Sequence, residues 1–139
     1  KAVAEDIARG AARLLEATGY RTLFEMRLAS GRRVDVAGLD GRGRFAVVEV
    51  KSCLADLRAD AKWPEYLPYC DRFFFAVAPS FPVDAPPADA GVILADRFSG
   101  ALARPAPLRP MPAGRRHRQT LLFAHTASSR LFRVLESGL

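Results

Sequence analysis

The sequence predicts an α+β fold in which helices flank a mixed central β-sheet, and three observations carry that prediction. An amphipathic helical pattern opens the chain and is followed by three strand-like segments joined by short turns. A helical segment then precedes a continuous apolar run, which is typical of a strand buried on both faces. The predicted core order is α-β-β-β-α-β. Because the linkers are short, residues 1–139 are expected to form a single domain.

The first half of the chain predicts one helix and an antiparallel meander. Val3–Thr18 carries apolar residues at helical spacing and is followed by a glycine. Strands are expected at Tyr20–Leu28, Arg32–Leu39 and Arg44–Lys51. The segment Asp40–Gly43 between the second and third strands is a tight hairpin signal, so these two strands should pair directly.

The second half predicts a parallel strand, two shorter strands and a long helix. Helical pieces are expected from Cys53 to Trp63 and from Pro64 to Tyr69; strands are expected at Arg72–Ala78, Val92–Ala95 and Ala101–Ala103. The last helix is expected over Arg115–Ser137. Its apolar stripe is formed by Leu121, Ala124, Leu131, Phe132 and Leu135.

Composition favours a basic protein that binds polyanions. The formal net charge is +6, and only Lys1, Lys51 and Lys62 among the 21 basic residues are lysines, so arginine carries most of the charge. Arginine suits bidentate phosphate contacts. No apolar run reaches the roughly 18–20 residues of a membrane-spanning helix. The two cysteines are too few for a disulfide scaffold and are expected to be reduced thiols in a cytoplasmic protein.

Three ionisable residues lie inside segments that otherwise look like buried strand. Asp35 belongs to the second strand, and Glu49 and Lys51 belong to the third. Burying such groups without partners costs several kcal/mol or more, which suggests that they are used. A hairpin around Asp40–Gly43 would place Asp35 opposite Glu49, with Cβ atoms roughly 4.5–5.5 Å apart.

A divalent cation would resolve the repulsion between these two carboxylates. Mg²⁺ or Mn²⁺ takes oxygen ligands, and the carbonyl of Val50 could add one to the carboxylates of Asp35 and Glu49. Lys51 could contact a scissile phosphate or assist an attacking water, which predicts metal-assisted phosphodiester hydrolysis. The alternative is structural: Glu49 and Lys51 as an exposed pair on an edge strand, with Asp35 as a partner of Arg33.

These residues, in this order of elements, resemble the PD-(D/E)XK nuclease superfamily, which has the restriction-endonuclease-like fold. Asp35 is similar to the first metal-binding acid of that motif, and Glu49-Val50-Lys51 is similar to its (D/E)-x-K half. Val34 stands where the motif's name has a proline. The resemblance implies a core of a helix, a three-stranded meander, a helix and a further strand, with Mg²⁺ or Mn²⁺ as cofactor.

A more specific resemblance covers nearly the whole chain. The segments Gly31–Asp35, Lys51–Tyr66 and Tyr69–Phe73 resemble the MmcB-type DNA repair proteins, a bacterial branch of that superfamily. This resemblance implies a role in DNA repair, with DNA as the partner. Some nuclease relatives carry a Gln-x-x-x-Tyr motif on the second helix that helps to bind DNA. Lys62 and Tyr66 have that spacing, with lysine in place of glutamine.

Further residues are candidates for contacts around this site. The candidates for DNA contact are Lys62, Arg58, Tyr66, Arg115, Arg116 and Arg118. Basic groups at the start of a helix oppose its dipole, so an anion such as a DNA backbone is expected to offset the last three. Glu5 and Glu25 are candidate accessory acids. Asp56 and Asp60 are expected to pair with Lys62 and Arg58, with completion of the metal's ligand shell as the alternative. The structural alternatives are solvated surface positions for the charged residues and packing for Tyr66.

Three functions fit the sequence. The first is a Mg²⁺- or Mn²⁺-dependent nuclease that acts on DNA. The second is a non-catalytic DNA-binding or repair-scaffold module that keeps the nuclease fold. The third is a protein-interaction domain that uses the proline-rich segments Pro79–Pro87 and Pro105–Pro112. No membrane partner is expected, and the sequence leaves open a homodimer, repair-protein partners and the preferred DNA structure.

Overall fold

One mixed β-sheet organises the chain in the computed structural model, which describes residues 2–138. The strands in this range are β1 (Tyr20–Arg27), β2 (Arg33–Asp40), β3 (Phe45–Val50), β4 (Arg72–Val77), β5 (Gly91–Ala95) and β6 (Gly100–Arg104). Their order in the sheet follows the sequence. The β1–β2, β2–β3 and β5–β6 pairs are antiparallel, while β3–β4 and β4–β5 are parallel. The predicted mixed sheet and its meander are confirmed.

The helices follow the predicted α-β-β-β-α-β order. They are α1 (Ala2–Ala17), α2 (Leu54–Ala59), a 3₁₀ helix (Trp63–Tyr69) and α3 (Ala113–Glu136). On one face of the sheet, Ile7 and Leu15 of α1 pack with Val36 and Val48. On the other face, an aromatic cluster is formed by Phe45, Tyr66, Phe73, Phe75 and Phe123. Strands β3 and β4 are therefore buried on both sides, as their apolar runs predict.

Helix α2 is shorter than predicted because Asp60 ends it. Asp60 Oδ1 accepts the amide N–H groups of Lys62, at 2.9 Å, and Trp63, at 3.0 Å. These contacts replace the continuing helical hydrogen bonds and open the 3₁₀ helix, where Pro64 sits at the first turn without needing an N–H. The expected single helix from Cys53 to Trp63 is thus wrong in its second half.

Helix α3 packs through a different face from its predicted apolar stripe. Gln119 and Phe123 are its buried residues, and Gln119 Nε2 donates to the carbonyl of Tyr69 at 2.7 Å. By contrast, Leu131 and Leu135 are 60% and 61% exposed. The helix meets β1 and the 3₁₀ helix through residues up to Arg130, whose guanidinium donates to carbonyls of β1, while residues 131–138 are all exposed. Along residues 2–138, no helix is both long and apolar enough to cross a membrane.

Candidate active site

The backbone ladder between β2 and β3 gives way to side-chain carboxylates at its open end. The last paired positions there are Val36 and Val48, so Asp35 and Glu49 come next. The amide of Val50 donates to Asp35 Oδ2 at 2.7 Å, and the amide of Asp35 donates to Glu49 Oε1 at 3.2 Å. The two acids therefore lie side by side, as the hairpin register predicts, and each bridges the two strands.

The surroundings of this pair disfavour two ionised carboxylates. Burial and then the charge of Asp35 raise the pKa of Glu49 to about 8. Burial also raises the pKa of Asp35, against the opposing effects of the Val50 amide and the Lys51 ammonium. A cation bound between the acids would remove their repulsion, so the pair is chemically prepared to hold one.

The donor set fits a hard divalent cation. Asp35 and Glu49 would supply carboxylate oxygens, and Val50, whose amide donates to Asp35, would add its backbone carbonyl; Mg²⁺ and Mn²⁺ favour such oxygen ligands. In the part of the chain that the structure describes, no three His, Cys, Asp or Glu side chains form a metal-binding group. Water and phosphate oxygens would then complete the coordination of a cation here, which is usual for Mg²⁺.

Asp60 holds Lys51 beside the carboxylate pair, although the sequence predicts that Asp60 pairs with Lys62 or Arg58. The Nζ of Lys51 lies 2.8 Å from Asp60 Oδ2, and the two side chains are 16% and 10% exposed. Although burial raises the pKa of Asp60, hydrogen bonds from Lys51 and from the amides of Lys62 and Trp63 hold it below its usual value. Asp60 therefore links Lys51 to the start of the 3₁₀ helix instead of pairing with the side chain of Lys62 or Arg58.

The site opens into two clefts, one on each side of Val50. The first, which we call the α1 cleft, has a volume of about 380 Å³ and is lined by Glu5, Arg9, Glu25 and Asp35 along with Val50. Both candidate accessory acids thus face the cleft that contains Asp35. Glu25 also makes an ion pair with Arg33, at 3.6 Å.

The second cleft, the α2 cleft, has a volume of about 490 Å³ and contains the other charged site residues. Glu49, Lys51, Asp60, Lys62 and Tyr66 line it. Lys62 is exposed and available to an incoming anion. Tyr66 is 8% exposed and its ring stacks on that of Phe73 at 6.0 Å, so it is placed for packing at the wall of the cleft.

The remaining DNA-contact candidates do not line either of these two clefts. Arg58 is exposed on α2, and Arg118 is exposed near the start of α3. Arg115 lies over the ring of Tyr69, 4.8 Å from its centroid. Arg116 donates to both oxygens of Asp71, at 2.5 and 2.8 Å. The anion that offsets Arg116 is therefore an internal carboxylate, which is a correction to the expectation that DNA does so.

A family model and a solved structure relate this chain to known proteins. A family model described as "DNA repair protein MmcB-like" matches residues 2–138. Among solved structures, the chain is similar to the SPO1766 protein from Silicibacter pomeroyi, which is described as a protein of unknown function. The two are 42% identical, with a TM-score of 0.87, over 92% of this chain and 88% of that one. No curated protein matches the chain.

Proposed function

The chain belongs to the MmcB-like family of DNA repair proteins, and from that premise we propose that it is a Mg²⁺- or Mn²⁺-dependent nuclease. In this proposal it hydrolyses DNA phosphodiester bonds and is a member of the PD-(D/E)XK superfamily. The observation that supports it most is the juxtaposition of Asp35 and Glu49 at the open end of β2 and β3, next to Lys51.

In the proposed reaction, the acids of the pair hold the cation and the carbonyl of Val50 assists them. When bound, the cation polarises a phosphoryl oxygen and lowers the pKa of a water molecule. The cross-strand hydrogen bonds to Asp35 and Glu49 fix both carboxylates on rigid strands. Because their geometry is set before substrate binds, little reorganisation is needed at the moment of reaction.

Beside the cation, the protein would contribute a positive charge of its own to the site, the ammonium group of Lys51. This group stabilises the negative charge that develops on the phosphoryl oxygens during the displacement. Asp60 holds this ammonium in place at 2.8 Å, and Lys62 stands at the mouth of the same cleft to contact a neighbouring phosphate. The α2 cleft is therefore assigned to the scissile phosphate and the backbone next to it.

A second candidate is a non-catalytic DNA repair module with the same fold. Two observations favour it. Over residues 2–138, no three His, Cys, Asp or Glu side chains are grouped so that they could hold a metal ion. In addition, Lys51 is already paired with Asp60, which leaves less of its charge for a substrate.

Cleavage assays with matched variants separate the two candidates. Purified protein with Mn²⁺ is incubated with single-stranded, duplex, flap and branched DNA. We expect Asp35→Ala, Glu49→Ala and Lys51→Ala each to lower the cleavage rate by about 10²-fold or more. The first two remove a ligand that would hold the cation, and the third removes the ammonium that would stabilise the developing charge on the phosphoryl oxygens. Asp84→Ala, in an exposed loop, is the control and should cleave like the wild type.

Thermal unfolding gives a readout that does not depend on activity. Mn²⁺ should raise the Tm of the wild type, since a ligand at 100 times its Kd adds about 2.7 kcal/mol of stability. Asp35→Ala and Glu49→Ala should lose this response, and Asp84→Ala should keep it. Cleavage that survives all three site substitutions would refute the nuclease proposal. Salt-dependent DNA binding without cleavage under any metal would favour the non-catalytic module.

A further inference from the structure

A third cleft, of about 540 Å³, lies between α3 and the β1–β2 hairpin. Its basic side chains come from three elements. We name it the arginine cleft after the residues Arg27 on β1, Arg33 on β2, and Arg130 and Arg133 on α3. None of these four arginines was a candidate at the level of sequence, because Arg27 and Arg130 are brought together by the docking of α3.

The positive charge of the arginine cleft exceeds the negative charge near it. Within residues 2–138, the ion pair that these arginines make is Arg33–Glu25, at 3.6 Å, with both side chains more than half exposed. Such an exposed pair contributes little. Arg27 donates to the carbonyl of Gly31 at 2.7 Å, and Arg133 donates to Ser129 Oγ at 3.3 Å. These are uncharged acceptors, so most of the positive charge is not neutralised by the protein.

One wall of the arginine cleft is fixed by an unusual backbone feature. Glu25 has a φ of 47°, in the left-handed region, which costs a residue with a side chain roughly 1–3 kcal/mol. The guanidinium of Arg130 donates to the carbonyls of Phe24 and of Glu25 and so ties α3 to this strained point. Strain that the surroundings hold in place is often found at functional sites.

The arginine cleft adjoins the candidate active site, because it shares the wall residue Glu25 with the α1 cleft. Glu25 lines both the arginine cleft and the α1 cleft, and Asp35 lines the α1 cleft. Arg33 is two residues before Asp35 on the same strand, so both side chains leave the same region of β2. An extended polyanion leaving the carboxylate pair through the α1 cleft would meet these arginines next.

We propose that the arginine cleft binds the phosphate backbone of DNA on one side of the carboxylate pair. The choice of DNA rests on the proposed function. The choice of a polyanion rests on the guanidinium groups of Arg27, Arg33 and Arg133, a group type that recognises phosphate bidentately. The cleft is open and is lined from three elements, so it suits several successive phosphates. Arg27, Arg33 and Arg133 contact the phosphates, and Arg130 positions the wall.

The test is a binding measurement in EDTA, where no cleavage is needed. Fluorescence anisotropy of a labelled duplex is followed as a function of salt for Arg27→Gln, Arg33→Gln, Arg133→Gln and the triple variant. Each single change should lower the slope of log affinity against log salt by about 1, because one phosphate contact is lost. The triple variant should lose about 10-fold or more in affinity at low salt. Arg97→Gln, an exposed arginine after β5, should bind like the wild type.

Two results would overturn the inference. One is a triple variant with unchanged affinity and slope. The other is a loss of affinity without any change in slope, since that would indicate an effect other than phosphate contact. If the triple variant does not fold, as judged by its thermal unfolding, the single variants decide by the same criteria. Glu49→Ala is measured alongside: retained binding with lost cleavage supports the proposed nuclease whatever the arginine variants show.

Discussion

At the scale of single residues, the site is defined by how each charge is compensated. Asp35 and Glu49 receive backbone N–H groups from the opposite strand, and Lys51 receives a carboxylate from the end of α2. Asp60 divides its oxygens between two tasks: Oδ2 meets Lys51, and Oδ1 accepts two backbone amides. We interpret Asp60 as a positioning residue for Lys51 in the proposed reaction.

Asp60→Asn tests this interpretation. The asparagine keeps an oxygen that can accept the amides of Lys62 and Trp63, so the fold should survive. It removes the negative charge that fixes Lys51, and we expect kcat to fall by about 10-fold to 10²-fold with little change in KM. Steady-state cleavage kinetics measure both constants.

A matched acid and a conservative change complete the Asp60 experiment. Asp56→Asn alters an exposed acid of the same helix and the same cleft, and it should leave kcat near the wild-type value. Asp60→Glu keeps the charge and should restore part of the lost rate. An unchanged kcat in Asp60→Asn would show that Lys51 needs no fixed partner, and the positioning role would then be abandoned.

At the scale of elements, the distance at which α1 packs on the sheet determines the position of the cleft wall that α1 supplies. Gly10 lies where α1 comes closest to the β5–β6 turn. A Cβ atom at this position would stand 2.0 Å from the carbonyl oxygen of Asp96 and 2.6 Å from that of Ser99. Because both neighbours are backbone atoms, they cannot turn aside. The glycine therefore sets how near the sheet α1 carries Glu5 and Arg9.

Gly10→Ala should destabilise the protein in spite of the better helix propensity of alanine. Overpacking of this kind costs roughly 1–3 kcal/mol, which exceeds the gain of about 1 kcal/mol from propensity. The control is Gly114→Ala in the first turn of α3, where a Cβ meets nothing within 4 Å. Urea unfolding should show a loss of stability for the first variant and equal or higher stability for the second. Equal stability of Gly10→Ala and the wild type would mean that α1 can shift outward freely.

Element order and pairing could be predicted from the sequence because they depend on local signals. The turn at Asp40–Gly43 and the apolar run before Ala78 decide the meander and the parallel strand. Periodicity also predicts α3, but it does not indicate which face of the helix another element covers. Leu131 and Leu135, which belong to the predicted apolar stripe, are therefore exposed instead of packed. Helix α2 ends early because Asp60 accepts hydrogen bonds from two backbone amides. The hydrophobic periodicity of the sequence does not indicate such contacts.

At the scale of the whole molecule, the sequence predicts the part of the site that lies on the β2–β3 hairpin. Asp35 and Glu49 face each other because a short turn fixes their register. The arginine cleft was beyond sequence reasoning, since Arg27 and Arg130 are 103 positions apart and meet through tertiary packing. Arg27 and Arg130 are close because α3, in the second half of the chain, packs against β1 in the first half.

Asp71 makes hydrogen bonds and an ion pair that connect the first half of the chain to the second. Its side chain is 2% exposed and accepts the amide of Phe45 at 2.7 Å, at the start of β3. It also accepts the amide of Met111 at 3.3 Å and forms the ion pair with Arg116 of α3. One carboxylate thus joins the sheet, the proline-rich connector and the last helix.

The same contacts make Asp71 a source of pH-dependent stability. Although burial raises its pKa, the hydrogen bonds from Arg116, Phe45 and Met111 outweigh that effect and lower the pKa below its usual value. The ionised form therefore stabilises the fold. This contribution is complete above the unfolded pKa of about 3.9 and is lost as the pH falls through the lower folded value.

Asp71→Asn should accordingly be less stable than the wild type at pH 7, by roughly 3 kcal/mol, because Arg116 is left without its anion. The difference in unfolding free energy between the two proteins should shrink as the pH falls below about 4, where the wild-type carboxyl becomes protonated. Urea unfolding across this range measures the difference, with Asp84→Asn in an exposed loop as the control. A difference that stays constant from neutral to acid pH would mean that shape and hydrogen bonding at Asp71, rather than its charge, hold α3 to the sheet.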